Sequence, residues 1–180
     1  PAASAAPAVA PSPAVEEPLE KLIPQWDKAL GFVGLKDGDT LAYAQATIRV
    51  KGTAGSTFTL TVNGVEVSGA RVGKRATLAQ TQVQAWEFIG VGLKPGANEL
   101  SVSQVVAFGN ARGTVTIHVL APGIAAKLAI ELPKAGAVAD GRTPVHIVVN
   151  VLDENGIPVT SRTAVTLASS LGTWKMEDAD

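Results

Sequence analysis

The chain has 180 residues, enough for one ordinary domain or two small ones. Hydrophobic residues at 46% and charged residues at only 17% argue against a wholly disordered chain, and 18 Gly with 11 Pro argue against a helical bundle or coiled coil. A net charge of −1 gives no footprint of a nucleic-acid or anionic-membrane binder, and the lack of Cys removes disulfides, thiolate metal sites and a Cys nucleophile.

Residues 1–24 form a biased segment. Pro1, Pro7, Pro11, Pro13, Pro18 and Pro24 deny backbone donors, and the alanines between them offer little to bury. This reads as a Pro/Ala-rich, polyproline-like spacer with no partner for its few apolar side chains. The chain opens at Pro1 without Met or a basic, apolar leader, which reads as a processed chain or a fragment. Leu19, Leu22, Ile23, Trp26 and Leu30 fall at helical spacing, but Pro24 interrupts them. At most one helical turn is expected, delivering Trp26 to the edge of the first domain.

From Gly31 the period becomes two. Ala46, Ile48 and Val50 alternate with polar residues, as do Phe58, Leu60 and Val62. Asn63-Gly64 followed by Val65-Glu66-Val67 is a strong hairpin signal. Further strands are expected at 76–83 and 86–91, a turn at Lys94-Pro95-Gly96-Ala97, and a long strand at 98–108 whose parity shifts near Gln104, as at a bulge. A turn at Gly109-Asn110 leads to 114–120, with Val115, Ile117 and Val119 inward. Seven or eight short strands at this spacing make an antiparallel β-sandwich over 25–121.

Ala121-Pro122-Gly123 marks a boundary too short for free rotation. A second unit, 122–180, follows with inward rows Leu128, Ile130, Leu132 and Val145, Ile147, Val149, Val151. Asp153-Glu154-Asn155-Gly156 reads as a turn, and 163–170 as a strand carrying Val165 and Leu167. Three or four strands are too few to close a sandwich, so this unit is expected to be truncated. No apolar run approaches the ~18–20 residues of a membrane helix, so no membrane insertion is expected.

Two regions carry a resemblance. Residues 31–120 resemble bacterial immunoglobulin-like domains of exported proteins, including the module beside some glycoside hydrolases. The carrying pieces are Leu35-Lys36-Asp37-Gly38-Asp39-Thr40, Val50-Lys51-Gly52-Thr53-Ala54-Gly55-Ser56, Val62-Asn63-Gly64-Val65-Glu66-Val67 and 93–102. Residues 127–174 are similar to invasin/intimin-type Ig-like repeats, through Ala139-Asp140-Gly141-Arg142-Thr143-Pro144, 151–159 and Ser169-Ser170-Leu171-Gly172-Thr173-Trp174. The resemblance implies all-β, tandem Ig-like sandwiches in an exported protein of the bacterial surface, outer membrane or periplasm. Their implied partners are other modules of a longer chain, another envelope protein or a surface glycan.

Nothing in the sequence assembles a catalytic set, so no enzyme is expected. The two histidines, His118 and His146, sit on outward strand positions of different units. Residues 69–75 fall one residue short of a phosphate loop and carry Arg75 where Ser or Thr would hold magnesium. Calcium is the one cofactor weighed, with candidate ligands Asp37, Asp39, Asp140 and Asp153, none in the spacing of a calcium loop. At the junction, Asp140 is the residue expected to meet a loop of the first domain. Candidate ligand-binding residues are the loop cluster Arg71, Lys74, Arg75 and the aromatic pair Trp26 and Tyr43. Trp86 and Phe88 share a parity and read as core. The function expected is a non-catalytic stalk or spacer, with adhesion as an added role; the alternative is a carbohydrate- or protein-binding accessory module of a larger enzyme or barrel protein.

Overall fold

The computed structural model describes residues 17–106, 111–133, 136, 138, 140–170 and 172–175, with backbone alone at 111 and 112. Residues 1–16 of the spacer expected at 1–24, the turn at Gly109-Asn110, Ala139 and Leu171 lie outside the described residues.

The molecule is all-β, with antiparallel sheets. Eight strands form the first unit: β1 (Gly31–Val33), β2 (Gln45–Thr53), β3 (Thr57–Val62), β4 (Val65–Glu66), β5 (Val72–Leu78), β6 (Val83–Gly92), β7 (Gly96–Val105) and β8 (Ala111–Ala121). One sheet has the order β1-β2-β6-β5 and the other β4-β3-β7-β8. Alternation buries one face of each sheet against the other. Ile48, Val50, Trp86 and Phe88 from the first meet Phe58, Leu60, Leu100, Val102, Ile117 and Val119 from the second. Trp86 and Phe88 are thus core residues, with Phe58 edge-on to Trp86 at 5.4 Å between ring centroids.

Turn chemistry fixes the registers. Asn63 (φ 50°) and Gly64 (φ 78°) both adopt the left-handed region that a two-residue hairpin turn requires. The bulge expected near Gln104 is present, because the β7–β8 register shifts between Ser103 and Val105. It leaves Gln104 buried, with Oε1 accepting from the Thr53 amide at 3.4 Å. Gly52 makes this possible: a Cβ there would stand 2.4 Å from that oxygen and 2.8 Å from the Phe58 ring.

Several elements differ from expectation. The strand expected at 76–83 is broken by a turn at 79–82, where Gln82 has φ 53° and its amide bonds to the Ala79 carbonyl at 3.3 Å. Ala79-Gln80-Thr81-Gln82 has no large apolar side chain to hold a buried face. Lys74 and Arg75 consequently lie on β5 rather than on a loop. The spacer's last residues do have partners. One α-helical turn, α1 (Leu19–Leu22), passes into a 3₁₀ turn at Ile23–Gln25. Leu19 (0% exposed) and Ile23 pack with Ala76, Val83 and Ala85 on the outer face of the first sheet, flanked by Trp26 and Leu78.

The second unit has two strands among the described residues, β9 (Lys127–Glu131) and β10 (Val148–Leu152), in one antiparallel ladder. β10 begins at Val148, later than expected, and 163–170 forms no strand. Register places Leu128 and Ile130 beside Val151 and Val149 on one face. The row expected to point inward is open, with Leu128 51%, Ile130 58% and Leu132 71% exposed. A two-stranded ladder has no second sheet to cover such a face. Among the described residues no helix is long and apolar enough to cross a membrane.

Candidate functional site

The most developed polar constellation joins the two units. Asp153 follows β10 and opens the Asp-Glu-Asn-Gly turn, closed by Asp153 N–H to Ile157 O at 2.9 Å and Gly156 N–H to Asp153 O at 3.1 Å. Gly156 supplies the positive φ of 80°. The turn aims the Asp153 side chain back toward the boundary. Its Oδ2 accepts from the Gly123 amide at 2.8 Å, and its Oδ1 accepts from the Asn155 and Ile157 amides, both at 2.8 Å. The residue is 1% exposed.

Desolvation pushes the Asp153 pKa up, but the amides of Ile157, Gly123 and Asn155 outweigh it and hold the carboxyl below its ordinary range. The surroundings are close-packed. A Cβ on Gly123 would lie 3.2 Å from Pro95 Cβ and 3.3 Å from Asp153 Oδ2. The Asn155 side chain stands against Gly96, and the Thr160 hydroxyl donates to the Ala42 carbonyl. Residues of the first sandwich at 42 and 95–96, and the linker at Gly123, therefore meet the 153–160 segment. Lys127 Nζ adds a bond to the Glu154 carbonyl at 2.7 Å.

The other candidates scatter. Asp37 Oδ1 accepts from the His118 amide at 2.7 Å and lies 3.1 Å from His118 Nδ1. The amide bond first, then the ring contact, lowers the Asp37 pKa. Asp39 Oδ2 accepts from the Lys36 amide at 2.8 Å. These bonds hold a strap, 37–41, along the edge of β8, where Thr40 bridges Leu120 in parallel. Asp140 accepts from the Arg142 and Thr143 amides and the Thr143 hydroxyl, the last contact the strongest influence, and its pKa falls to about 2. At the junction it is Asp153 that reaches the Gly123 linker, whereas Asp140 bonds within its own turn. Among the described residues no three His, Asp or Glu side chains gather as a metal site. His118 lies on β8 with its side chain exposed, and His146 is exposed ahead of β10.

The basic cluster divides. Arg71 Nη1 donates to the Gly90 carbonyl at 2.6 Å, Arg75 lies over the Trp86 ring at 4.1 Å, and Lys74 is exposed. Trp26 is half-buried in the cluster around Leu19, whereas Tyr43 is 59% exposed, so they belong to different surroundings. The clasp from Asp153 to Gly123 was not legible as such. Its one sequence signal is an Asp opening an Asn-Gly turn, and that signal does not name a partner 30 residues away.

No protein-family model matches the chain, and no curated protein matches it. Among solved structures, the crystal structure of Parabacteroides merdae β-glucuronidase is similar at 18% identity, with a TM-score of 0.32. The match covers 68% of this chain and spans 15% of that one.

Proposed function

We infer that this chain is a non-catalytic spacer built from Ig-like modules of an exported bacterial surface or envelope protein. The observation that carries the reading is the Asp153 clasp, a buried, charge-assisted bond that ties the second unit's 153–157 turn to the linker at Gly123, two residues past the end of the first sandwich. A module that must hold neighbours at a set distance needs a stiff joint, and first-unit residues at 42 and 95–96 converge with the Gly123 linker on 153–160 to make one. Other candidate groups are spent on the fold: Trp26 on packing, Arg75 on Trp86, Arg71 on Gly90. Small-angle scattering of the full chain tests the reading. A distance distribution fitted by one inter-unit angle supports it, and one that requires many angles overturns it.

A binding role for another protein or a glycan is the second reading. It is favoured by exposed Val65 and Ile89 flanking the Arg71 loop, where two open depressions of about 370 and 340 Å³ share Ser68 and Arg71. Glycan-array binding that is lost in Arg71→Ala, with melting unchanged, would raise it above the spacer.

A further inference from the structure

We propose that the Gly123–Asp153 clasp is a tension latch that stores chain length. The proposal rests on the spacer reading, because only a spacer is pulled from its ends. The reasoning starts from connectivity. Chain leaves the first sandwich at Ala121, enters β9 past Gly123, returns along β10 and leaves again at Asp153. The two ends of the β9–β10 ladder therefore lie side by side. Ala126 N–H bonds to Leu152 O at 2.9 Å, and Lys127 pairs with Leu152.

Force applied to those ends would open the ladder one bond at a time, the weakest loading geometry for an antiparallel pair. Among the described residues the apolar face of the ladder is open, with no second layer of packing to resist it. The clasp alters the path. With Gly123 held by Asp153, tension passes from the first unit directly to the 153–157 turn and bypasses 124–152. That turn is itself tied down by Val159 N–H to Val151 O at 2.9 Å, Asp153 N–H to Ile157 O, and the Thr160 contact to Ala42. Peeling from the far side must break these bonds before it reaches the carboxylate. When the clasp parts, the 124–152 loop extends, releasing roughly 100 Å at ~3.4 Å per residue. The first sandwich, with its closed core, stays folded at that force. The joint thus yields a fixed length before the sandwich is at risk.

Because the chain has no Cys, thiol handles placed through Glu17→Cys and Thr173→Cys attach at those two positions alone. The full chain is pulled in optical tweezers. Two events are expected, a first step with roughly 100 Å of released length and a later, larger one from the sandwich. In Asp153→Ala the first step should vanish or fall to the lowest resolvable force, with the later event unchanged. Asp153→Asn keeps one acceptor and should fall between. The unchanged later event shows that each variant is folded. A first step whose force is the same in Asp153→Ala overturns the latch. If scattering finds a freely bending joint and the Asp153-dependent step survives, the spacer reading fails, and with it the latch's use, although the clasp itself bears load.

Discussion

Asn63 donates from Nδ2 to Asn98 Oδ1 at 2.9 Å, so the hairpin turn between β3 and β4 is bonded to the β7 side chain that holds the turn at 94–96, where the chain crosses from the first sheet to the second. Asn98 is buried and fully used. Its Oδ1 also accepts from the Lys94 amide at 3.0 Å, and its Nδ2 donates to the carbonyls of Lys94 at 2.8 Å and Gly96 at 3.0 Å. Asn63 in turn accepts from the Glu99 amide at 3.0 Å. The two turns are therefore one polar network.

Asn98→Ala leaves the Lys94 and Gly96 groups without partners. The expected cost is about 2–3 kcal/mol, read by urea denaturation of the full chain. A loss under about 0.5 kcal/mol would mean that water replaces the side chain and that the turn is held by its backbone alone.

Trp86→Ala should cost about 3–5 kcal/mol, since it removes a ring packed against Phe58 and Phe88 and covered by Arg75. Arg75→Ala should cost about 0.5–1 kcal/mol, because the cation sits at an exposed edge strand. Equal losses from the two would show that Arg75 organises the strand rather than capping the ring.

Leu19→Ala tests whether the segment before β1 belongs to the sandwich. The side chain is buried beside Val83 and Ala85, so about 2–4 kcal/mol of stability should go with it. An unchanged melting temperature would return residues 17–25 to the spacer.

The Asp153 carboxyl gives a pH signature with a definite sign. Its folded pKa is depressed, so its contribution is present above the unfolded value near 3.8 and is lost as pH falls through the lower folded value. The amide resonances of Gly123, Asn155 and Ile157 should titrate together, with a midpoint below 3.8, while the junction is unaltered between pH 5 and 7. A common midpoint above that value would mean that burial dominates and the clasp is protonated more easily than its three donors imply.

Much of the first unit was legible because its signals are local. Ile48, Val50, Phe58 and Leu60 alternate cleanly, Asn63-Gly64 permits few conformations besides a tight turn, and the parity shift at Gln104 marks its bulge. The turn at 79–82 was hidden because Ala79 and Val83 can both be read into one strand. Leu19 and Ile23 were hidden for another reason: their partners Val83 and Ala85 lie on the face opposite Trp86, which alternation alone assigns to solvent. The second unit shows the limit of periodicity. Leu128, Ile130 and Leu132 carry an inward pattern, yet a pattern states which side is apolar, not whether a second sheet is there to cover it. Asp153 reads as a calcium candidate because it stands in an oxygen-rich turn, but its two oxygens accept from backbone amides that only the folded chain brings together.

In the spacer reading, Asp153 sets one geometry between the units. Spin labels at Gln80→Cys on the first unit and Val148→Cys on the second measure it directly, by pulsed electron–electron distance spectroscopy on the full chain. The expected result is a single narrow distance peak that broadens several-fold in Asp153→Ala while the melting of the first sandwich is unchanged. A broad distribution in the unaltered chain, or a narrow one that survives Asp153→Ala, would contradict it.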